Sequence, residues 1–398
     1  MNNSSQRLPI PVLILFLLLW ARYPLFEFII GFCSHVPFLS SFSAQVPLIL
    51  IIAALVFSLP YIIKHIKVID VLLYLLIAGL YLYSKERNVE NAEALEYYLI
   101  PFLLMSVPYY FAGLSWDLRK LWRFMYYVSL LSIFLKGAYT FFMGGTETLE
   151  SESMTAAYSL LPHLLFIIWF AISRKRIIDM AAVVAGILLL FAFGNRGTLV
   201  ISVLFAFFCF YQLVSSQKRN RNLMWLAGGL SVVLIAVFFS GITDSIFSFL
   251  NSTGASVRVF EKSQTDGFFS SEGRLAIFYV VLPAIANNPF GLGIAGDRLL
   301  GVIYSHNIIL EFLISYGWIF GTLLIVAIFA IFLVGLKKAQ TTEQRVFVML
   351  LFCSGILKLM VSGTYLNEYY LFFMIGYCVS MIRAKRAYKP IENRITAD

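Results

Sequence analysis

Charge is what this sequence has least of. Only 13% of its 398 residues are Asp, Glu, Lys or Arg, against ~25% in an average soluble chain. A surface that poor in charge excludes an ordinary water-soluble protein. Cysteine is scarce too: Cys33, Cys209, Cys353 and Cys378 are far apart and sit in or beside apolar runs. No pair has metal or redox spacing, so they read as small buried hydrophobes. No cluster of Asp, Glu and His has metal-ligand spacing, and no short repeat or inverted repeat between halves is visible. A cleavable signal is not expected, because the apolar run 8–32 exceeds an h-region and lacks a small-residue cleavage site.

What replaces charge is hydrocarbon. Apolar residues make up 60% of the chain, the mean hydropathy is +0.85, and runs of about twenty apolar residues recur from end to end. The sequence predicts an all-α polytopic membrane protein, a single integral membrane domain over 1–398 with about 12 transmembrane helices. The expected spans are 8–31, 46–63, 67–84, 95–114, 119–143, 154–173, 177–194, 197–215, 223–241, 307–336, 345–362 and 366–382. One long loop, 242–305, contains the apolar piece 275–285, too short to cross and expected to lie at the surface or re-enter.

The net charge of +9 does not point to nucleic acid, because the basic residues fall in short clusters between spans. Of the 30 lysines and arginines, 20 lie on one side of the alternating loops, 7 on the other and 3 within spans. The positive-inside bias then makes both termini cytoplasmic and puts 242–305 outside.

Within the spans, polar groups are the informative ones. Arg22, Lys136 and Lys358 each fall toward the outer half of a span. Such cations either snorkel to the headgroups or face a cavity, and three at one level favour a basic cavity open to the outside. Phe193-Gly194-Asn195-Arg196-Gly197-Thr198 is a short outer turn whose arginine either anchors at the headgroups or grips a phosphate with its planar fork. Glu272-Gly273-Arg274 opens the next polar stretch, followed by the turn Asn287-Asn288-Pro289-Phe290-Gly291-Leu292-Gly293. Those glycines lack the strand–loop–helix context of a phosphate loop. Tyr304-Ser305-His306-Asn307 then runs into an apolar helix carrying Glu311, Gly317 and Gly321. Ser305 is the expected N-cap there, and His306 is a titratable ring at an outer helix start. His35, His65 and His163 have no comparable company and read as structural.

The order of Gly194 to Gly197, Gly273-Arg274, Asn288 to Gly293, Ser305-His306-Asn307, Gly317 and Gly321 resembles the O-antigen polymerase and O-antigen ligase superfamily of bacterial envelope enzymes. The resemblance is clearest over 190–325, and the tract 154–159 is similar to polysaccharide polymerases. It implies glycosyl transfer at the outer face of the bacterial plasma membrane, from an undecaprenyl-pyrophosphate-linked oligosaccharide. It implies no metal and no other cofactor. Membrane lipids are expected partners, with a chain-length regulator and a flippase alongside, and no nucleic acid. On this resemblance His306 serves as general base or acceptor orienter, and Arg196 and Arg274 stabilise the departing pyrophosphate. Asn307, Arg22, Lys136, Lys358, Arg298, Glu272 and Glu311 are the substrate-binding candidates, the two glutamates also being reserve bases.

Polymerase and ligase differ only in acceptor, another lipid-linked repeat or a lipopolysaccharide core, and polymerase is favoured. A flippase would need cavity charges reachable from both sides, whereas these candidates gather on one. The topology makes a direct forecast. In the full chain with its own cysteines replaced, a membrane-impermeant thiol reagent added outside should label Ser252→Cys and leave Ser216→Cys untouched. The reverse pattern would remove the outer-face assignment.

Overall fold

The computed structural model describes residues 8–35, 38, 40–42, 45–87, 89–142, 146–193, 195–214 and 272–384. Among these the chain is helical, with no strand. The α-helices in chain order are α1 (Ile10–Trp20), α2 (Arg22–His35), α3 (Gln45–Ile62), α4 (Val68–Arg87), α5 (Ala92–Leu99), α6 (Tyr109–Ser115), α7 (Leu118–Phe142), α8 (Thr146–Arg174), α9 (Ile177–Ala192) and α10 (Arg196–Val214). After 215–271, which lie outside the described residues, come α11 (Glu272–Asn287), α12 (Ile308–Lys338), α13 (Thr342–Phe352) and α14 (Tyr369–Arg383). The chain divides into two compact units, one of residues 1–58, 118–270 and 393–398, the other of 59–117 and 271–392.

In the first unit α8 is the central element, with 83% of its apolar window buried. Phe166 and Phe170 on α8 pack against Trp122 of α7, ring centroids 4.8 and 5.6 Å away. Trp20 closes the other side, its ring 5.7 Å from Phe166 and its indole N–H donating to the Ser129 hydroxyl at 3.1 Å. Where the sequence predicts one span over 8–31, the structure has two helices bent by 90°. The cause is local: Pro24 has no N–H for the carbonyl four residues back, and its ring crowds the preceding turn.

In the second unit α6 and α14 cross closely. A β-carbon on Gly376 would overlap the Tyr110 carbonyl, and one on Gly113 the Phe373 carbonyl, so glycine permits the contact. At one end of this crossing Asp70 is fully buried. It accepts both Arg383 Nη groups at 2.7 and 2.8 Å, the Tyr110 hydroxyl at 2.5 Å and the Lys67 N–H at 2.8 Å.

Among the described residues, six helices are long and apolar enough to cross a membrane: Gln45–His65, Val68–Glu86, Val89–Ser115, Thr155–Arg174, Arg196–Leu213 and Ile308–Lys338, with the bent α1–α2 pair a seventh. Every expected span except 223–241, which lies outside the described residues, falls on helix. Among the described residues, the expected count of about twelve is nevertheless not reached on length and composition. The 16 residues of α9 and 15 of α14 reach only about 24 and 22 Å at ~1.5 Å per residue. The span expected over 345–362 is helical from Thr342 through the π-turn Cys353–Leu357, but the stretch carries Glu343 and Arg345, with Lys358 next.

The helix α12 is itself broken. Gly317 sits at φ 74°, ψ −178°, separating 308–316 from 318–338. The Asn288–Gly293 turn docks into the break: Leu292 N–H donates to the Ile314 carbonyl at 2.7 Å and Gly293 N–H to that of Ser315 at 3.0 Å. In return the Pro289 carbonyl accepts from Trp318 N–H at 3.0 Å, and the Trp318 indole donates to Ile285 at 2.9 Å. So the Asn-Pro-Phe-Gly-Leu-Gly motif is a strap that satisfies a broken helix.

No side chain fits at Gly317, where a β-carbon would overlap the Pro289 carbonyl oxygen. Gly317→Ala is expected to lower stability by at least about 1–3 kcal/mol, the cost of so rare a backbone conformation alone. A β-carbon added at Gly79 in α4 would meet nothing within 4 Å, so Gly79→Ala should be neutral or stabilising by up to ~1 kcal/mol. Thermal unfolding of the detergent-solubilised full chain compares the two; equal melting temperatures would refute the strap.

Candidate functional site

Past the strap, in the second unit, the chain enters a turn held from α5's leading edge. Buried Asn91 donates its side-chain amide to the carbonyls of Ile294 at 3.1 Å and Ala295 at 2.6 Å. Ala295 takes a left-handed φ of 57°, and a 3-10 turn, Gly296–Leu300, follows. This places Asp297 and Arg298 side by side in the interior. Arg298 donates to Asp297 at 2.5 Å, lies 3.8 Å from Glu311 and sits 5.0 Å from the Tyr98 ring centroid. Burial opposes its charge, but Asp297, Glu311 and the Tyr98 hydroxyl outweigh that and raise its pKa above the ordinary arginine value.

Glu311, one turn into α12, is almost wholly buried. It accepts the Thr364 hydroxyl on one oxygen and the Tyr365 N–H at 3.2 Å on the other. The Tyr365 hydroxyl meets that of Tyr316 at 2.8 Å. As a reserve base Glu311 therefore starts fully engaged. The sequence missed this knot, although one signal was present: Asp297 is the lone carboxylate between Glu272 and Glu311. Asn91, Tyr98, Thr364 and Tyr365 carry no local signal, since they come from distant segments.

Ser305 does not cap α12 as expected. Its N–H and hydroxyl both donate to Asp297 at 2.8 Å. The N-cap is Asn307, whose side-chain oxygen accepts from Ile309 N–H at 2.9 Å and Leu310 N–H at 3.4 Å. The register shifts by two because His306 between them adopts φ 52°. A left-handed non-glycine residue costs about 1–3 kcal/mol, so both neighbours must hold it there. The imidazole is half-buried and faces the Tyr304 ring, centroids 4.2 Å apart.

The remaining candidates are spread out. Lys358 is ion-paired with buried Glu368, which also caps α14 through Tyr370 N–H at 3.1 Å. In the first unit, Lys136 is paired with Glu27 and lies 5.9 Å from the Phe193 ring centroid. Arg22 is buried with its guanidinium 5.6 Å from the Tyr23 ring centroid. The two lysines thus carry carboxylate partners, because an unpaired intramembrane charge is costly. Arg196 is the half-buried first residue of α10, presented by Asn195, whose side chain accepts from Thr198 N–H at 3.1 Å. Glu272 and Arg274 lie in the first turn of α11, their side chains outside the described residues. Among the described residues no three His, Cys, Asp or Glu side chains converge as metal ligands. His163 is buried with its Nδ1 3.3 Å from the Ser129 hydroxyl and its ring 5.7 Å from that of Trp20, a packing role.

Long apolar helices and a polar turn built around one histidine define the class, a helical integral membrane protein. Residues 181–325 match a family model described as O-Antigen ligase. That segment, which includes α10, α11, the strap and His306, is thus similar to the O-antigen polymerase and ligase superfamily. Members are glycosyltransferase-like enzymes, and the family implies lipid-linked oligosaccharide substrates in the membrane. Neither a curated protein nor a solved structure matches the chain significantly.

Two buried carboxylates sharing one guanidinium make Arg298 a structural keystone. Arg298→Met should destabilise the protein by about 3–5 kcal/mol, the usual result of stranding buried charge, read as a lower melting temperature and lower membrane yield. A melting temperature within a degree or so of wild type would refute this structural role.

Proposed function

We propose that this chain polymerises polyprenyl-pyrophosphate-linked oligosaccharide repeat units at the outer face of the bacterial plasma membrane. The observation that carries the reading is the placement of His306 within the matched segment, in a strained conformation at the start of α12. The polyprenyl tail stays in the bilayer and the pyrophosphate sits at headgroup level. An acceptor sugar hydroxyl attacks the anomeric carbon of the donor; the new C–O bond forms as the bond to pyrophosphate breaks. His306 takes the hydroxyl proton or orients the hydroxyl. The leaving pyrophosphate gathers negative charge, which the Arg196 and Arg274 guanidiniums stabilise through their planar forks. This reading keeps both termini cytoplasmic, the active site outside and the span count near twelve.

The second reading is ligation to a lipopolysaccharide core, favoured by the description of the matching family. Both transfer the same bond, so the acceptor decides. Deletion of the gene followed by electrophoresis of surface glycan separates them: single repeats on the surface indicate a lost polymerase, long chains stranded on the carrier lipid a lost ligase.

His306→Ala should reduce glycan transfer by ~10²–10⁴-fold, the usual contribution of a general base, at unchanged membrane level. His163→Ala should retain transfer. His306→Gln preserves hydrogen bonding without titration; a near wild-type, level rate from about pH 5.5 to about pH 8 in that variant would take histidine out of the proton transfer.

A further inference from the structure

Ser305, His306 and Asn307 are consecutive residues, and the two outer ones are anchored independently. Ser305 is completely buried and gives both its N–H and its hydroxyl to one carboxylate oxygen of Asp297, at 2.8 Å each. Asn307 is committed to capping α12. Between them His306 takes φ 52°, a conformation that its β-carbon resists and that survives only where the surroundings leave no alternative. Asp297 is fixed in turn: Arg298 holds its other oxygen at 2.5 Å, and Asn91 holds the two carbonyls just upstream. Charge-assisted bonds of this kind are roughly twice as strong as neutral ones.

We propose that Asp297 is a positioning residue for His306: its carboxylate clamps the Ser305 backbone and so sets the direction in which the imidazole meets the reacting hydroxyl. The inference rests on the role given to His306 above. Asp297 acts through the backbone and touches neither the ring nor the substrate. Asp297→Asn preserves size but leaves one accepting oxygen, and its amide NH2 faces either the Ser305 backbone N–H or the Arg298 guanidinium, both donors. The clamp loosens while the residues that hold the donor lipid are untouched, so turnover should suffer and binding should not.

The test uses the full chain in detergent–lipid micelles, with lipid-linked glycan extracted from the deletion strain as donor. Asp297→Asn should lower kcat about 10–100-fold, the range expected for a misplaced catalytic group, with KM changed by less than about threefold. The Asp297→Asn/His306→Ala double variant should be no slower than His306→Ala, because a clamp without its ring has nothing left to position. An Asp297→Asn kcat within about twofold of wild type, or single losses that multiply in the double variant, overturns the proposal. If Asp297→Asn does not accumulate, Ser305→Ala removes only the hydroxyl half of the clamp. It should slow turnover about 3–10-fold, and an unchanged rate overturns the proposal equally. A fully active His306→Ala would instead sink the base reading itself, whereas an inactive His306→Ala beside a fully active Asp297→Asn sinks the positioning role alone.

Discussion

Backbone groups freed inside a membrane protein have no water to turn to. In a continuous α12 the Ile314 carbonyl would bond to the Trp318 N–H. At Gly317 that ladder is cut, and the Pro289–Gly293 strap takes up both sides of the break. Much of the second unit depends on this substitution. It ends α11 at a defined place, brings Ile294 and Ala295 to Asn91, and so puts Asp297 where Ser305 can reach it. A straight helix would leave the strap nowhere to dock and Asp297 with nothing to bring it to Ser305.

A second regularity is that several of the interior charges among the described residues come in compensated groups. Lys136 with Glu27, Lys358 with Glu368, Arg383 with Asp70, and Arg298 between Asp297 and Glu311 each bring opposite signs together. Such pairs add little net stability over well-packed apolar residues, but breaking one strands a buried charge. Their value is in specification: Lys136 with Glu27 and Arg383 with Asp70 join segments 109 and 313 residues apart in the chain.

Hydropathy made the helices legible, because a run of apolar residues needs no partner to be recognised. The glycine-rich turn was legible as a turn, but its docking was not, since nothing local says that Gly291 must approach the backbone of Ser315 and Gly317. The capping residue was misplaced for a similar reason. Ser305 and Asn307 are both good caps, and the left-handed residue between them, which decides the matter, has no sequence signature when it is a histidine. The intramembrane cations were visible as anomalies, but Glu27 and Glu368 looked ordinary in a row of letters. Asp297 is the sharpest omission: an aspartate beside an arginine in a glycine-rich turn resembles surface decoration until the fold closes over it.

The tie between Asp70 and Arg383 has a consequence for how the protein is made. The second unit is assembled from 59–117 and 271–392, two stretches separated by the bulk of the first unit. Tyr110 and the Lys67 N–H are synthesised close to Asp70, but both guanidinium bonds come from Arg383, 313 residues later. During synthesis α4 and α6 must therefore wait in the bilayer with an uncompensated carboxylate and an unfilled glycine groove at Gly113. The arrival of α14 closes both at once. Completion of this unit must therefore await synthesis of α14, and a ribosome stalled before it would leave behind a half-built module with an unpaired carboxylate, an obvious substrate for membrane quality control.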